Sequence, residues 1–104
     1  MFHLVSLNSF FQRILPNIGG KVVSGNATSV FQNPGAPAYV VQGTGGCLLD
    51  LDRTEWVSPT PAWSAVRERE HYGYALMTAN ATHLHYAFRL ERDNSVYDEM
   101  WIVK

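Results

Sequence analysis

The chain has 104 residues, 46% of them hydrophobic and 16% charged, with a formal net charge of -1. This globular balance excludes intrinsic disorder and leaves room for one modest domain. Near-neutral charge gives no electrostatic case for nucleic acid or an anionic membrane, and no apolar run approaches the length that spans a bilayer.

Taken in chain order, residues 1–18 are fairly apolar but interrupted by Asn8, Gln12 and Arg13, and no small-residue cleavage site follows, so no signal peptide is expected. Residues 1–37 are rich in Asn, Gly, Ser and Pro. Their turn signals Gly19-Gly20, Ser24-Gly25-Asn26 and Asn33-Pro34-Gly35 predict an irregular segment. Ala38–Gln42 has the β-branched and aromatic content of a buried strand, stopping at Gly43-Thr44-Gly45-Gly46. Residues 47–62 read as a loop ending in Ser58-Pro59-Thr60-Pro61. From Tyr72 onward the pattern is β. In residues 82–90, Thr82, Leu84, Tyr86, Phe88 and Leu90 alternate with His83, His85, Ala87 and Arg89, which puts the first set on a packed face. Arg92-Asp93-Asn94-Ser95 predicts a hairpin turn into a last strand at 96–103. The expectation is a mostly β chain in two parts, an irregular 1–37 and a β region 38–104.

Few residue patterns nominate chemistry. His83-x-His85 places two imidazoles on one strand face, a spacing that can bind metal, but a site needs three or four protein ligands and no nearby Asp, Glu or Cys completes a set. The pair reads as surface histidines. The glycine run 43–46 lacks the lysine and helix start of a phosphate loop, and Asp50 follows it, so it reads as a turn. Cys47 is the only cysteine, which excludes an internal disulfide and a cysteine zinc cluster. It has no sequence signature tying it to a histidine, and no Gly-x-Ser-x-Gly elbow exists. Nothing sets a pair among Asp50, Asp52, Glu55, Asp98 and Glu99 apart from ordinary surface acids. Asn26 and Asn80 both head Asn-Ala-Thr and are candidate N-glycosylation sites, Asn80 in a predicted turn.

Several short pieces, in order, carry a resemblance. They are Phe11-Gln12-Arg13 before Ile14-Leu15-Pro16; Asn33-Pro34-Gly35-Ala36-Pro37; Gly43-Thr44-Gly45-Gly46-Cys47; Trp63-Ser64-Ala65-Val66-Arg67; and Tyr72-Gly73-Tyr74 with Asn80-Ala81-Thr82-His83-Leu84-His85 and the closing Tyr97-Asp98-Glu99-Met100-Trp101. Together they resemble the C-terminal region of the purple acid phosphatases, most closely the animal branch. The resemblance implies the C-terminal strands of an αββα metallophosphatase sandwich. For the intact enzyme it implies hydrolysis of phosphate monoesters by iron paired with zinc, iron or manganese.

The family's Gly-His-x-His-x-Tyr-Glu-Arg motif falls on Ser6 to Arg13. Leu7 and Ser9 then stand at the two histidine ligand positions, and His3 lies four positions too early. Leucine has no donor atom and a neutral serine hydroxyl is a weak ligand, so no metal or catalytic residue is expected in this chain, and alone it is expected to be inactive. Phosphate monoesters would be partners only through the catalytic region. The family implies a secreted or lysosomal setting and often a sequon at the position of Asn80. It also gives Arg67 a counterpart, which reads either as a clamp to a carboxylate such as Asp98, with Trp63 buried against the last strands, or as a solvated loop arginine. In the family these strands extend a larger sandwich, so the chain alone is expected to fold poorly, with Leu84, Tyr86, Phe88 and Met100 or Trp101 uncovered and an open edge that favours self-association. The alternative, that residues 1–37 fold back over them, is disfavoured by their turn-rich composition. The reading from another class is a small secreted β-module that binds a partner without catalysis.

Overall fold

The computed structural model describes the backbone of residues 2–5 and residues 10–45, 56 and 58–104. Among them are ten strands and no helix: β1 (Phe2–Val5), β2 (Phe11–Ile14), β3 (Asn17–Ile18), β4 (Lys21–Val22), β5 (Val30–Gln32), β6 (Ala38–Gln42), β7 (Ser64–Glu68), β8 (Gly73–Ala79), β9 (His83–Leu90) and β10 (Val96–Val103). They form two four-stranded sheets, ordered β1-β6-β2-β7 and β5-β10-β9-β8, and the ribbon β3-β4. The first sheet is antiparallel except where β1 runs parallel to β6; the second is the meander β8-β9-β10 with β5 added in parallel.

The mostly β expectation holds, and β6, β9 and β10 lie where the residue pattern puts them. Residues 1–37 differ. They are not irregular: they hold β1 to β5, with β2 inside one sheet and β5 at the edge of the other. Their turn signals are real, since Gly19 and Gly20 have φ of 59° and 88° in the β3–β4 turn, a region glycine enters without strain. The strands between the turns are two to four residues long, too short for a two-residue period to show.

This segment covers the face expected to lie open. Phe11, Leu15 and Phe31 pack with Ala38 and Val40 against Tyr86, Phe88, Leu90 and Met100. The Phe11 and Phe88 rings stack with centroids 4.2 Å apart and planes 13° from parallel. Tyr86, Phe88 and Met100 are fully buried and Leu84 is half-buried, while Trp101 turns outward at 37% exposure. Folding back is the outcome because β2 and β6 supply apolar side chains at the spacing the meander's inner face presents. At Gly73, a Cβ would collide with the Phe88 ring and the Arg89 carbonyl oxygen, so glycine is needed where β8 crosses this core.

Phe11→Ala should therefore lower stability by about 3–5 kcal/mol, read from denaturant melts, because it removes the ring filling the space between the sheets. A change under 1 kcal/mol would mean that residues 1–37 do not cover the meander in solution.

Candidate functional site

Three polar bridges cross the space between the sheets. Alternation along β2 points Phe11 and Arg13 the same way, so a guanidinium enters the core layer beside a phenyl ring. Arg13 is 4% exposed. Its Nε and Nη2 donate to Asp98 Oδ2 and Oδ1 on β10 at 2.6 and 3.1 Å, and its Nη1 donates to the Thr28 carbonyl at 2.5 Å. This fork-to-fork geometry is the strong form of a charged hydrogen bond, and both charges are satisfied where water is excluded. The Tyr86 hydroxyl donates to Gln42 Oε1, and burial, with the Asp98 charge, pushes the Tyr86 phenol well above its usual range.

The third bridge joins Glu68 on β7 to the Tyr97 hydroxyl on β10. Glu68 also accepts from the backbone N–H groups of Glu70 and His71 at 2.5 and 3.1 Å, and the His71 Nδ1 stands 3.3 Å away. Burial pushes the Glu68 carboxyl up, but the Glu70 N–H, the Tyr97 hydroxyl and His71 together outweigh it and hold the pKa below the ordinary glutamate value. Burial and the neighbouring Glu68 raise the Tyr97 phenol.

Of the two readings of Arg67, the clamp to Asp98 is not formed. Asp98 is held by Arg13, while Arg67 donates to Ser64 Oγ at 3.1 Å and lies over the Trp56 ring at 5.0 Å. Val66 and Glu68, not Arg67, share the inward side of β7. Trp63 is half-buried against Gly20 of the β3–β4 ribbon, not against the last strands.

His83 and His85 share the outer face of the second sheet with Trp101. His85 stacks on the indole at 4.2 Å and sets its Nε2 2.9 Å from Glu99 Oε2; His83 meets the indole edge-on at 6.3 Å, its Nδ1 2.7 Å from Thr82 Oγ1. Among the described residues no three of His, Cys, Asp and Glu gather as metal ligands would. Gly43 to Gly45 close the end of β6, with the Gly43 N–H on the Phe10 carbonyl and the buried Thr44 carbonyl accepting from Gly73. Leu7, Ser9, Gly46, Cys47, Asp50, Asp52 and Glu55 lie outside the described residues.

Asn80 and Asn26 are both exposed and both in turns. Asn80 links β8 to β9, and its Oδ1 accepts from Thr82 N, Thr82 Oγ1 and His83 N at 2.9, 3.2 and 2.9 Å. Asn26 sits in a turn closed by Ala27 N to the Ser24 carbonyl at 3.1 Å.

The sequence model described as iron/zinc purple acid phosphatase-like protein C matches residues 36–99. The chain belongs to the purple acid phosphatase family. It is 34% identical over 98 residues to acid phosphatase type 7 of Danio rerio, covering 90% of this chain and 21% of that protein. It is 33% identical over 88 residues to a purple acid phosphatase of Glycine max, covering 82% of this chain and 18% of that one. It thus spans about a fifth of the length of these relatives. A purple acid phosphatase from yellow lupin seeds has the same fold over 98% of the chain and 17% of its own, with a TM-score of 0.84 at 20% identity.

Within this purple acid phosphatase region the described residues offer no cluster of three His, Cys, Asp or Glu that could hold a metal. Arg13 stands in a motif-like stretch of the sequence, but its partner is legible only in three dimensions, where Asp98 lies opposite it on β10.

Arg13→Ala leaves Asp98 buried and unpaired, and should cost about 3–5 kcal/mol in a denaturant melt, whereas Arg13→Met combined with Asp98→Leu should recover most of that loss. Glu68, with its folded pKa depressed, contributes stability that is present above its unfolded pKa and lost as pH falls through the folded one. Melting temperature measured across that acid range should fall less steeply for Glu68→Gln than for the wild type.

Proposed function

We propose that this segment is a scaffold portion of a purple acid phosphatase: it forms and braces late strands of the sandwich and carries no catalytic centre of its own. The observation that carries the reading is the occupant of the two aligned histidine positions, since Leu7 offers no donor atom and the Ser9 hydroxyl is a poor ligand for a borderline divalent ion. The three bridges between the sheets support it from the other side. They use Arg13, Asp98, Gln42, Tyr86, Glu68 and Tyr97 for cohesion, which engages these polar groups with one another rather than with a substrate. In the intact enzyme an iron with zinc, iron or manganese would polarise the phosphomonoester and lower the pKa of a bound water. The test is reconstitution of the chain with iron and zinc, metal analysis, and a phosphomonoester assay at acid pH. The expected result is neither a stoichiometric metal pair nor turnover; two bound metals with turnover would overturn the reading.

The same reading places the protein in a secretory or lysosomal compartment with a glycan on Asn80. In that modification Asn80 Nδ2 loses a proton and bonds to C1 of the first sugar as the C1–O bond to a lipid diphosphate breaks and that group departs. The turn that ties Asn80 Oδ1 to Thr82 supports it, because it holds the carboxamide out of the sheet and against the threonine of its own sequon. Expression through a secretory pathway should give a glycosidase-sensitive mass that Asn80→Gln removes; an unchanged mass would sink the assignment. Self-association is the partner interaction this fold favours. The strand β8 is an open edge carrying Leu76 and Met77 at 53% and 52% exposure, a template for pairing with a second copy. Sedimentation should show a concentration-dependent dimer that Leu76→Lys weakens.

A further inference from the structure

Next to Asn80 lies a small open cavity of about 200 Å³, lined by Thr78, Ala79, Asn80, His83 and Trp101. Its position follows from the register. Thr78 pairs with His85, and His85 pairs with Trp101, so the three lie in one row across β8, β9 and β10 on the outer face. Two strand spacings separate the ends of that row by about 10 Å, with His85 between them and the cavity opening beside it. His85 stacks on Trp101 at 4.2 Å with planes 23° apart, and His83 stands edge-on to it, so the indole is held in one orientation. Trp101 is nevertheless 37% exposed, which is unusual for the largest apolar side chain when a buried position, that of Met100, lies next to it in the strand.

The Asn80 carboxamide is equally fixed. Its oxygen takes three hydrogen bonds from Thr82 and His83, while its Nδ2 has no partner among the described residues. A nitrogen that carries a substituent here is already at the rim of the cavity, so the first ring of that substituent need not search for the indole.

We infer that this cavity seats the first N-acetylhexosamine of a glycan on Asn80, with Trp101 as its stacking surface and Thr78 and His83 as its polar rim. The inference rests on the Asn80 reading and adds a binding surface to it. The chemistry suits the occupant: an indole face is electron-rich, and the axial C–H bonds of a pyranose present a weakly positive apolar face to it. The acetamide methyl lies on the indole beside that C–H face, while the ring hydroxyls and the acetamide N–H and C=O remain free for water and for the Thr78 hydroxyl and His83 imidazole. Because both the indole and the carboxamide are held in advance, little side-chain freedom is lost on contact.

The test uses the chain secreted from a glycosylating host with a 13C-labelled N-acetyl group, its glycan trimmed to the first sugar. The expected result is an N-acetyl methyl resonance shifted upfield by the indole ring current, with nuclear Overhauser contacts to Trp101. Trp101→Ala should return it to the position of the free sugar, and Trp101→Tyr, which keeps an aromatic face, should retain part of the shift. Glycan removal should lower the melting temperature of the wild type by more than that of Trp101→Ala. An occupied Asn80 whose methyl resonance is the same in wild type and Trp101→Tyr, at the free-sugar position, overturns this inference alone. A folded, secreted chain with Asn80 unmodified overturns the glycosylation reading and the seat together.

Discussion

A guanidinium and a carboxylate buried between two β-sheets set the position of much else in this chain. Arg13 and Asp98 are 85 residues apart, and their bidentate contact is possible only if β2 and β10 face each other with their inward positions in step. A buried pair of this kind adds little net stability over a well-packed apolar pair, since desolvation offsets most of the attraction. Its force lies in what it forbids. A one-residue slip of β2 would turn Arg13 to the other face and leave Asp98 charged and alone in the core, so the pair disfavours every register but one.

Register then fixes the rest. With β2 in place, Phe11 lies over Phe88, Val40 and Ala38 of β6 fall in the same layer, and Glu68 of β7 meets Tyr97. The N-terminal segment is used twice, since β2 joins one sheet and β5 closes along β10 of the other, with Trp101 N–H on the Ser29 carbonyl and Arg13 on that of Thr28. The backbone between them thus ties the two sheets together at the point where the buried charges meet. Most pairings join residues far apart in sequence, a topology in which loop-closure entropy must be met before contacts form.

In this chain of the purple acid phosphatase family, polar groups between the sheets brace the fold. Between the sheets, burial and the Asp98 charge raise the Tyr86 phenol, Glu68 and Tyr97 perturb each other, and each of the three is occupied in joining sheets. Shifted acidity often marks an active site, but it also marks a structural network, and convergence on a substrate-sized cleft is what distinguishes them. Here the groups are distributed along the inter-sheet layer. The outer face has a different character, with two histidines and an exposed tryptophan beside an exposed asparagine turn.

The sequence by itself determined the local β elements whose signal is local. The alternation from Thr82 to Leu90, the turn at Arg92 to Ser95 and the short apolar run Ala38–Gln42 are written in neighbouring residues, and β9, β10 and β6 appear there. It also carried the family, through ordered short pieces such as Trp63-Ser64-Ala65 and Tyr72-Gly73-Tyr74, and the two asparagine sequons. Tertiary structure alone decided the strands of residues 1–37, because two to four residues between turns show no period and gain strand geometry from the partners they pair with. It alone chose Arg13 over Arg67 as the partner of Asp98, since both are arginines in motif-like settings and only the facing of strands across the core tells them apart. It alone sent Met100 inward and Trp101 outward. Adjacent residues on a strand must point to opposite faces, but which face meets the core depends on where β2 lies.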